Sequence, residues 1–320
     1  MGKTDIVTKD YTEDNRVLAD AFNVLVYEGK PVIRPEKLRP LDSTMIGVPY
    51  NANETELPVQ KLRDNLKCLT IMEDDNATYL LLGLENQTNI HYAMPVRDML
   101  YDALQYAAQV EKITKERRNT KDPKTVSGKK LSGAEYLSGF GKDDKLMPII
   151  TAVLYFGEGK WDGPRSLHEM LALHDPKLLS FVSDYKMNLI TPEDTPDEII
   201  DRLDSSLREV LYFIKYSKDK AKLMELTQTD PRFKNLERKA ARVIKTVTGV
   251  EVDVENEEEP VNMCQAMREL LEDANNEGRL QNMQDTARRM LKEGSSSIDF
   301  IAQMTGLSVD AVQALAAEKS

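Results

Sequence analysis

The chain has 320 residues, 41% of them hydrophobic and 30% charged, which is enough for one large globular domain with an appendage or for two domains. Its net charge of -11 excludes a protein that coats nucleic acid by bulk charge, while a local basic groove remains compatible with it. No apolar run is long enough to span a membrane, no signal peptide opens the sequence, and Cys68 and Cys264 show no metal-ligand spacing, so we expect a cytoplasmic protein without a membrane partner.

The N-terminal region predicts one helix followed by a long loop. Apolar residues recur through 13–28, and Gly29 and Pro31 stop this partly amphipathic helix. Asp20 lies within it, and the pattern alone makes Asp20 a solvated helix acid. We predict a loop over 31–60 that contains one short strand near 45–48.

A β-hairpin is predicted next. Two short apolar runs, 68–72 and 79–84, flank a polar turn. Asp64 stands just before the first strand and Glu85 ends the second, so antiparallel pairing makes them neighbours. Gln87 lies two residues past Glu85 and therefore on the same face. Two acids and an amide at one sheet edge can hold a divalent cation.

A helix and a buried strand follow the hairpin. Apolar residues at helical spacing predict a helix over 94–117, and the near-continuous apolar run 148–156 predicts a central strand buried on both faces. Strand, helix and strand form a βαβ unit, so this strand is expected to run parallel to a hairpin strand. Between them lies the most basic window of the chain, 115–146, which we predict to be a mobile loop and a contact for a phosphate backbone.

Arg97 and Tyr101 are four residues apart and share one face near the start of the predicted helix. This end lies closest to Glu85 and Gln87, where both side chains can contact a phosphate. Two structural alternatives remain open. Arg97 can instead pack on the Tyr101 ring, and Glu85 can pair with Arg97 as an ion pair while Asp64 caps the strand.

The second half of the chain is mostly helical. The predicted elements are a short helix over 166–173 capped by Ser166, an edge strand over 185–190, an amphipathic helix over 197–216, helical sequence over 218–248, an acidic linker over 250–259, a long helix over 261–291 and two short helices around Gly306. We therefore predict three segments: a core domain over 10–217, a helical connector and linker over 218–260, and a helical tail for assembly or docking over 261–320.

This order of elements and acids resembles the restriction-endonuclease-like superfamily, whose motif is written PD-(D/E)xK. It resembles more closely the Rpn family of recombination-promoting nucleases, whose members are also labelled transposases. The resemblance is carried by Arg63-Asp64, Leu84-Glu85-Asn86-Gln87-Thr88, Met94, Arg97, Tyr101, the strand 148–157 with its continuation WDGPRSL, and IAQMTGLSVDAVQAL near the C-terminus. Two positions depart from the superfamily motif, since Arg63 replaces its Pro and Gln87 its usual Lys.

The resemblance implies an α/β fold, with a restriction-endonuclease-like core (a mixed central sheet flanked by helices) and a helical C-terminal extension. It also implies a metal-dependent DNA endonuclease that promotes recombination. Asp64, Glu85 and Gln87 would be catalytic, and Asp64 and Glu85 would bind Mg²⁺ or Mn²⁺. Asp20 would be an extra ligand, and Arg97 and Tyr101 would bind phosphate. The partners would be DNA and, because duplex cleavage needs two cuts, a second copy of the chain.

Two alternatives come from other functional classes. Gln87 and the acidic composition also suit a nuclease-like fold that no longer cuts and serves as a DNA-binding or protein-interaction module. A third hypothesis is a regulatory adaptor whose function resides in the tail, residues 261–320.

Overall fold

The computed structural model describes residues 3–40, 65–73, 76–120, 128–173, 175–252, 254, 260–294 and 296–317. The chain forms two compact units. The first comprises Met1–Leu223 and Leu236–Val261, and the second comprises Met224–Asn235 and Asn262–Ser320. The predicted strand near 45–48 lies outside the described residues.

The first unit contains a mixed sheet whose strands are arranged in sequence order. The strands are β1 (Leu38–Pro40), β2 (Asn65–Glu73), β3 (Asn76–Gln87), β4 (Ile149–Tyr155) and β5 (Asn188–Ile190). Strands β1, β2 and β3 pair antiparallel, whereas β3, β4 and β5 pair parallel. The predicted hairpin, the predicted parallel strand and the mixed α/β architecture are therefore confirmed.

The helices are α1 (Lys3–Thr12), α2 (Asn15–Tyr27), α3 (Met94–Arg118), α4 (Gly133–Ser138), α5 (Pro176–Leu179), α6 (Asp197–Ile200), α7 (Leu207–Lys215), α8 (Lys220–Thr229), α9 (Arg238–Thr248), α10 (Met263–Glu293), α11 (Ile298–Thr305) and α12 (Val309–Ala317). Within the described ranges, short 3-10 turns occur at Pro35–Lys37, His168–Met170 and Pro231–Asn235.

Helices cover both faces of the sheet. Neighbouring side chains of β3 show this, because they alternate between faces: Asn86 donates a hydrogen bond to Thr12 of α1, whereas Glu85 contacts Arg97 of α3. In β4, residues 151–155 are all buried, as a central strand requires. The sheet thus separates a layer that contains α1 from a layer that contains α3.

Several predicted helices are interrupted. The single helix predicted over 197–216 is wrong, because residues between α6 and α7 bond elsewhere: the Ser205 N–H donates to Asp20 Oδ2 at 2.7 Å. The helical sequence over 218–248 breaks at Pro231, which cannot supply a helical N–H. The short helix over 166–173 is reduced to a 3-10 turn, since Ser166 forms a β-bridge with Lys186.

The basic window is not a continuous loop. Residues 133–138 form α4, which begins with a capping box between Ser132 and Glu135. Gly139 ends this helix at φ 72°, and a side chain there would collide with Thr114 of α3. Residues 121–127 of the window lie outside the described residues.

The second unit has its own core, built where the end of α10 meets α11 and α12. The buried residues of this core are Ala287, Ile301, Ala302, Leu307, Val312 and Leu315. Among the described residues, no helix by itself has the length and apolarity to cross a membrane, although α11 and α12, bent by 116°, meet those criteria as a pair.

Candidate active site

The hairpin positions Glu85 near the carboxyl end of β3. In the register of the sheet, Asn65 lies opposite Leu84 and Glu85 lies opposite Val153 of β4. The Glu85 side chain is fully buried. Asp64 precedes Asn65 in the sequence but lies outside the described residues, so its pairing with Glu85 stays a prediction.

Arg97 is a charged partner of Glu85. Its Nη2 atom lies 3.3 Å from Glu85 Oε2, and its Nε donates to the Tyr101 hydroxyl at 2.5 Å. The guanidinium carbon is also 5.4 Å from the Tyr101 ring centroid. Both contacts raised as structural alternatives, the ion pair and the Arg–Tyr packing, are therefore present. The contribution of Arg97 and Tyr101 to phosphate binding remains a prediction.

The ion pair with Glu85 stabilises Arg97 at a position in α3 that is unfavourable for a cation. Helix α3 begins at Met94, so Arg97 lies in its first turn. The positive end of the helix dipole disfavours a cation there. The Glu85 carboxylate compensates Arg97, and Arg97 in turn compensates a carboxylate that would be costly to bury alone.

Tyr101 is a neutral hydrogen-bond donor at this site. Burial raises the pKa of its phenol above the ordinary value, although the hydrogen bond from Arg97 opposes the rise. Because the hydroxyl oxygen accepts from Arg97, its own proton can be donated to another oxygen. Arg97 and Tyr101 together thus present donors suited to an anionic oxygen.

An apolar wall adjoins Glu85 and the half-buried Gln87. It consists of Met94, Val153, Tyr155, Trp161 and Met187. The Tyr155 and Trp161 rings meet edge to face with centroids 5.3 Å apart. Such a wall excludes water and strengthens the electrostatic interactions beside it. Sequence reasoning missed this wall; its one signal was the only tryptophan of the chain in a turn-rich loop.

Two loops hold the wall together. The loop before α3 is joined to the loop after β4 by a hydrogen bond of 3.0 Å from the Tyr92 hydroxyl to Asp162. The Trp161 indole N–H is buried, and no hydrogen-bond partner for it occurs in the part of the chain that the structure describes. Trp161 is therefore buried within the apolar wall, where its fluorescence can report on the candidate site.

Asp20 belongs to a different group of residues. Its Oδ2 accepts the Ser205 N–H at 2.7 Å, and the neighbouring Ser206 hydroxyl lies 3.2 Å from the Tyr11 hydroxyl of α1. Burial raises the pKa of Asp20, and hydrogen bonds from Ser205 only partly oppose this. This group lies with α1 on the Asn86 side of the sheet, so Asp20 and Glu85 are not brought together.

The oxygen donors on β3 suit a hard cation. Glu85 offers a carboxylate and Gln87 a side-chain carbonyl, and Mg²⁺ and Mn²⁺ prefer oxygen ligands. Across the described residues, no group of three or more His, Cys, Asp or Glu side chains is placed to hold a metal ion. Glu85 and Gln87 match the oxygen preference of Mg²⁺ and Mn²⁺, and Asp64, the further expected ligand, lies outside the described residues.

The basic window is partly engaged in internal contacts. Arg117 pairs with Asp144 and also donates to the Gly139 carbonyl at 3.2 Å. Lys115 pairs with Glu111 one helical turn earlier, at 2.7 Å. Arg117 and Lys115 of the basic window are therefore both paired with acidic side chains of the same chain.

Comparison of the chain with protein-family models, curated proteins and solved structures found no match.

Proposed function

We propose that this chain is a metal-dependent DNA endonuclease with a restriction-endonuclease-like core, which hydrolyses phosphodiester bonds in recombination or transposition-like DNA breakage. One observation carries the proposal. The β2–β3 hairpin, α3 and parallel β4 follow in order, with Glu85 and Gln87 on the α3 side of the sheet and Arg97 in contact with Glu85.

Glu85 and Asp64 would hold Mg²⁺ or Mn²⁺, with the Gln87 carbonyl as a further oxygen donor. When bound, the cation polarises the scissile phosphate and lowers the pKa of a bound water. Gln87 can orient a water by hydrogen bonding, but an amide cannot accept its proton. The proton would therefore leave through another group, such as a phosphate oxygen of the substrate.

Arg97 and Tyr101 would bind and stabilise the phosphate. The guanidinium presents several N–H donors to phosphate oxygens, and the neutral Tyr101 phenol adds an O–H donor. Donors that are already in place where negative charge develops lower the barrier to phosphoryl transfer. The apolar wall around Trp161 would strengthen these interactions by excluding water.

Duplex DNA would be cut by a homodimer or larger assembly, since one site makes one cut. Helix α10 supports this, because it is 31 residues long, or about 46 Å, and such mixed-charge helices often associate. Light scattering coupled to size exclusion should give at least a dimer at micromolar concentration. A monomer at this concentration would contradict assembly but would not contradict the proposed chemistry of the site.

Plasmid nicking in Mg²⁺ and in Mn²⁺ tests the proposed activity. We expect Glu85→Gln to reduce nicking by roughly a hundredfold or more, because catalytic groups commonly contribute that much. Glu209→Gln is the matched control. Glu209 is another buried glutamate paired with an arginine, Arg208, at 3.0 Å. Equal nicking by wild type and Glu85→Gln would show that Glu85 is not a catalytic residue.

The second candidate function is a nuclease-like module that binds DNA or protein without cutting. It is favoured by the complete burial of Glu85 and its pairing with Arg97. A gel-shift assay beside the nicking assay separates the two candidates. DNA binding without nicking by the wild-type protein, in either cation, would favour the module.

A further inference from the structure

Arg97 contacts the same carboxylate, Glu85, that the proposed cation would bind. The carboxylate is fully buried and its Oε2 lies 3.3 Å from Arg97 Nη2, while the Arg97 side chain remains 32% exposed. A buried carboxylate requires a positive partner, because transfer of an isolated charge out of water is very costly. Arg97 is a positive partner of this kind in the structure.

A divalent cation and a guanidinium compete for the same carboxylate. Two positive groups within a few ångströms of each other repel, and the repulsion is strong where water is excluded. We infer that Arg97 is the counter-ion that a divalent cation displaces from Glu85, and that the displaced guanidinium then binds a DNA phosphate. This inference rests on the proposed function. It adds a coupling between the binding of the divalent cation and the binding of DNA.

The contacts of Arg97 allow such an exchange. Its Nε bonds Tyr101 and its guanidinium lies over the Tyr101 ring, so Nη2 can leave Glu85 while these two contacts persist. Once Glu85 binds a cation, Arg97 Nη2 loses its contact with Glu85, while the helix dipole at the first turn of α3 still favours a nearby anion. A phosphate supplies such an anion. The cation and DNA should therefore bind with positive cooperativity.

Calorimetric titration of Mg²⁺ and Mn²⁺ without DNA tests the displacement directly. A charge within about 4–6 Å changes the affinity of a carboxylate for a proton by roughly 10- to 1,000-fold. We therefore expect Arg97→Gln to bind the cation at least about tenfold more tightly than the wild type. Arg97→Lys keeps the charge and should stay close to wild-type affinity.

Arg165→Gln is the charge-matched control. Arg165 forms a surface pair with Asp194 at 2.7 Å, and both side chains are 47% exposed. This substitution removes one positive charge from a surface ion pair that contributes little to stability. It should therefore leave cation affinity within about twofold of wild type. A thermal shift assay gives a second readout. The melting temperature of Arg97→Gln should rise more steeply with Mg²⁺ than that of wild type.

The outcomes separate the inference from the proposed function. Equal cation affinity in wild type and Arg97→Gln would overturn the displacement while leaving the metal site intact. An affinity that Glu85→Gln does not lower, or the absence of binding in every variant, would overturn the metal site and this inference with it. Fluorescence anisotropy with a short duplex and Ca²⁺, which also prefers oxygen ligands, tests the second step. Ca²⁺ should tighten DNA binding by wild type several-fold but not by Arg97→Gln, and an equal gain in both would overturn the transfer to phosphate.

Discussion

Asp20 shows how one buried carboxylate sets a pH dependence. Burial raises its pKa in the folded state above the unfolded value, which is about 3.9. The stability contributed by this group is therefore fully present below the unfolded pKa and is lost as pH rises through the folded pKa. Asp20→Asn keeps an oxygen that can accept the Ser205 N–H but cannot ionise.

We expect Asp20→Asn to be at least as stable as wild type at pH 7, by about 0–1 kcal/mol. Its advantage should shrink as pH falls from 7 to 4. Urea unfolding at several pH values measures this difference. A variant less stable than wild type at pH 7 would show that the Asp20 carboxylate is needed in its charged form. A difference independent of pH would contradict a raised pKa of Asp20 in the folded state.

At the residue scale, local neighbours are more predictable than distant ones. The contact between Glu85 and Arg97 follows from a strand end that adjoins a helix start, and Arg97 and Tyr101 are four residues apart on one helix face. Asp20 bonds a residue 185 positions away. No spacing in the sequence indicates that partner, because loop 201–206 is placed by tertiary packing.

At the scale of elements, an ion pair between Arg117 and Asp144 connects the last turns of α3 to the segment that follows α4. Burial opposes ionisation of Asp144, but hydrogen bonds from Arg117 and from the Gly141 N–H outweigh it and hold the pKa of this carboxyl below its ordinary value. The stability gained is thus present above the unfolded pKa of about 3.9 and is lost as pH falls through the folded pKa.

Asp144→Asn should cost about 2–4 kcal/mol at pH 7, since it removes the anion that pairs with the guanidinium of Arg117, whose side chain is only 12% exposed. The loss should diminish below about pH 4, because the unfolded wild-type chain then binds a proton at Asp144 that the folded protein binds only at lower pH. Chemical denaturation at pH 7 and pH 3.5 measures both values. Asp143→Asn, at the exposed neighbouring position, should change stability by less than about 0.5 kcal/mol. Equal effects of the two substitutions would refute a specific pair.

Elements with strong local patterns were predicted well, and elements shaped by distant contacts were not. The apolar runs and polar turn of the hairpin were sufficient to predict β2 and β3, and the β-branched run was sufficient to predict β4. Helix α1 was missed because its apolar pattern is weak. The bridge between Ser166 and Lys186 replaces a local helix with a contact twenty residues apart, which periodicity does not reveal.

At the scale of the whole molecule, the two units have separate cores. The core around Ala287 and Ile301 uses residues of α10, α11 and α12, whereas Trp161 lies beside the candidate active site in the first unit. The only tryptophan of the chain therefore reports on the first unit.

A chain truncated after Gly294 tests whether function resides in the last part of the tail, residues 295–320. Removal of α11 and α12 exposes apolar residues of α10 and should lower helicity. We expect the unfolding free energy reported by Trp161 fluorescence to stay within about 0.5 kcal/mol of the full chain, and nicking to persist. Loss of nicking with an unchanged fluorescence transition would instead assign the function to the tail.

The proposed activity depends on Asp64 and Glu85 binding one cation together. A crystal soaked in Mn²⁺ and measured at the manganese absorption edge addresses that point most directly. We expect an anomalous peak within about 2.5 Å of a Glu85 carboxylate oxygen, also in contact with Asp64, with Arg97 moved away. A fully soaked crystal with no peak at Glu85 and with the Glu85–Arg97 pair intact would contradict the metal site and the proposed activity.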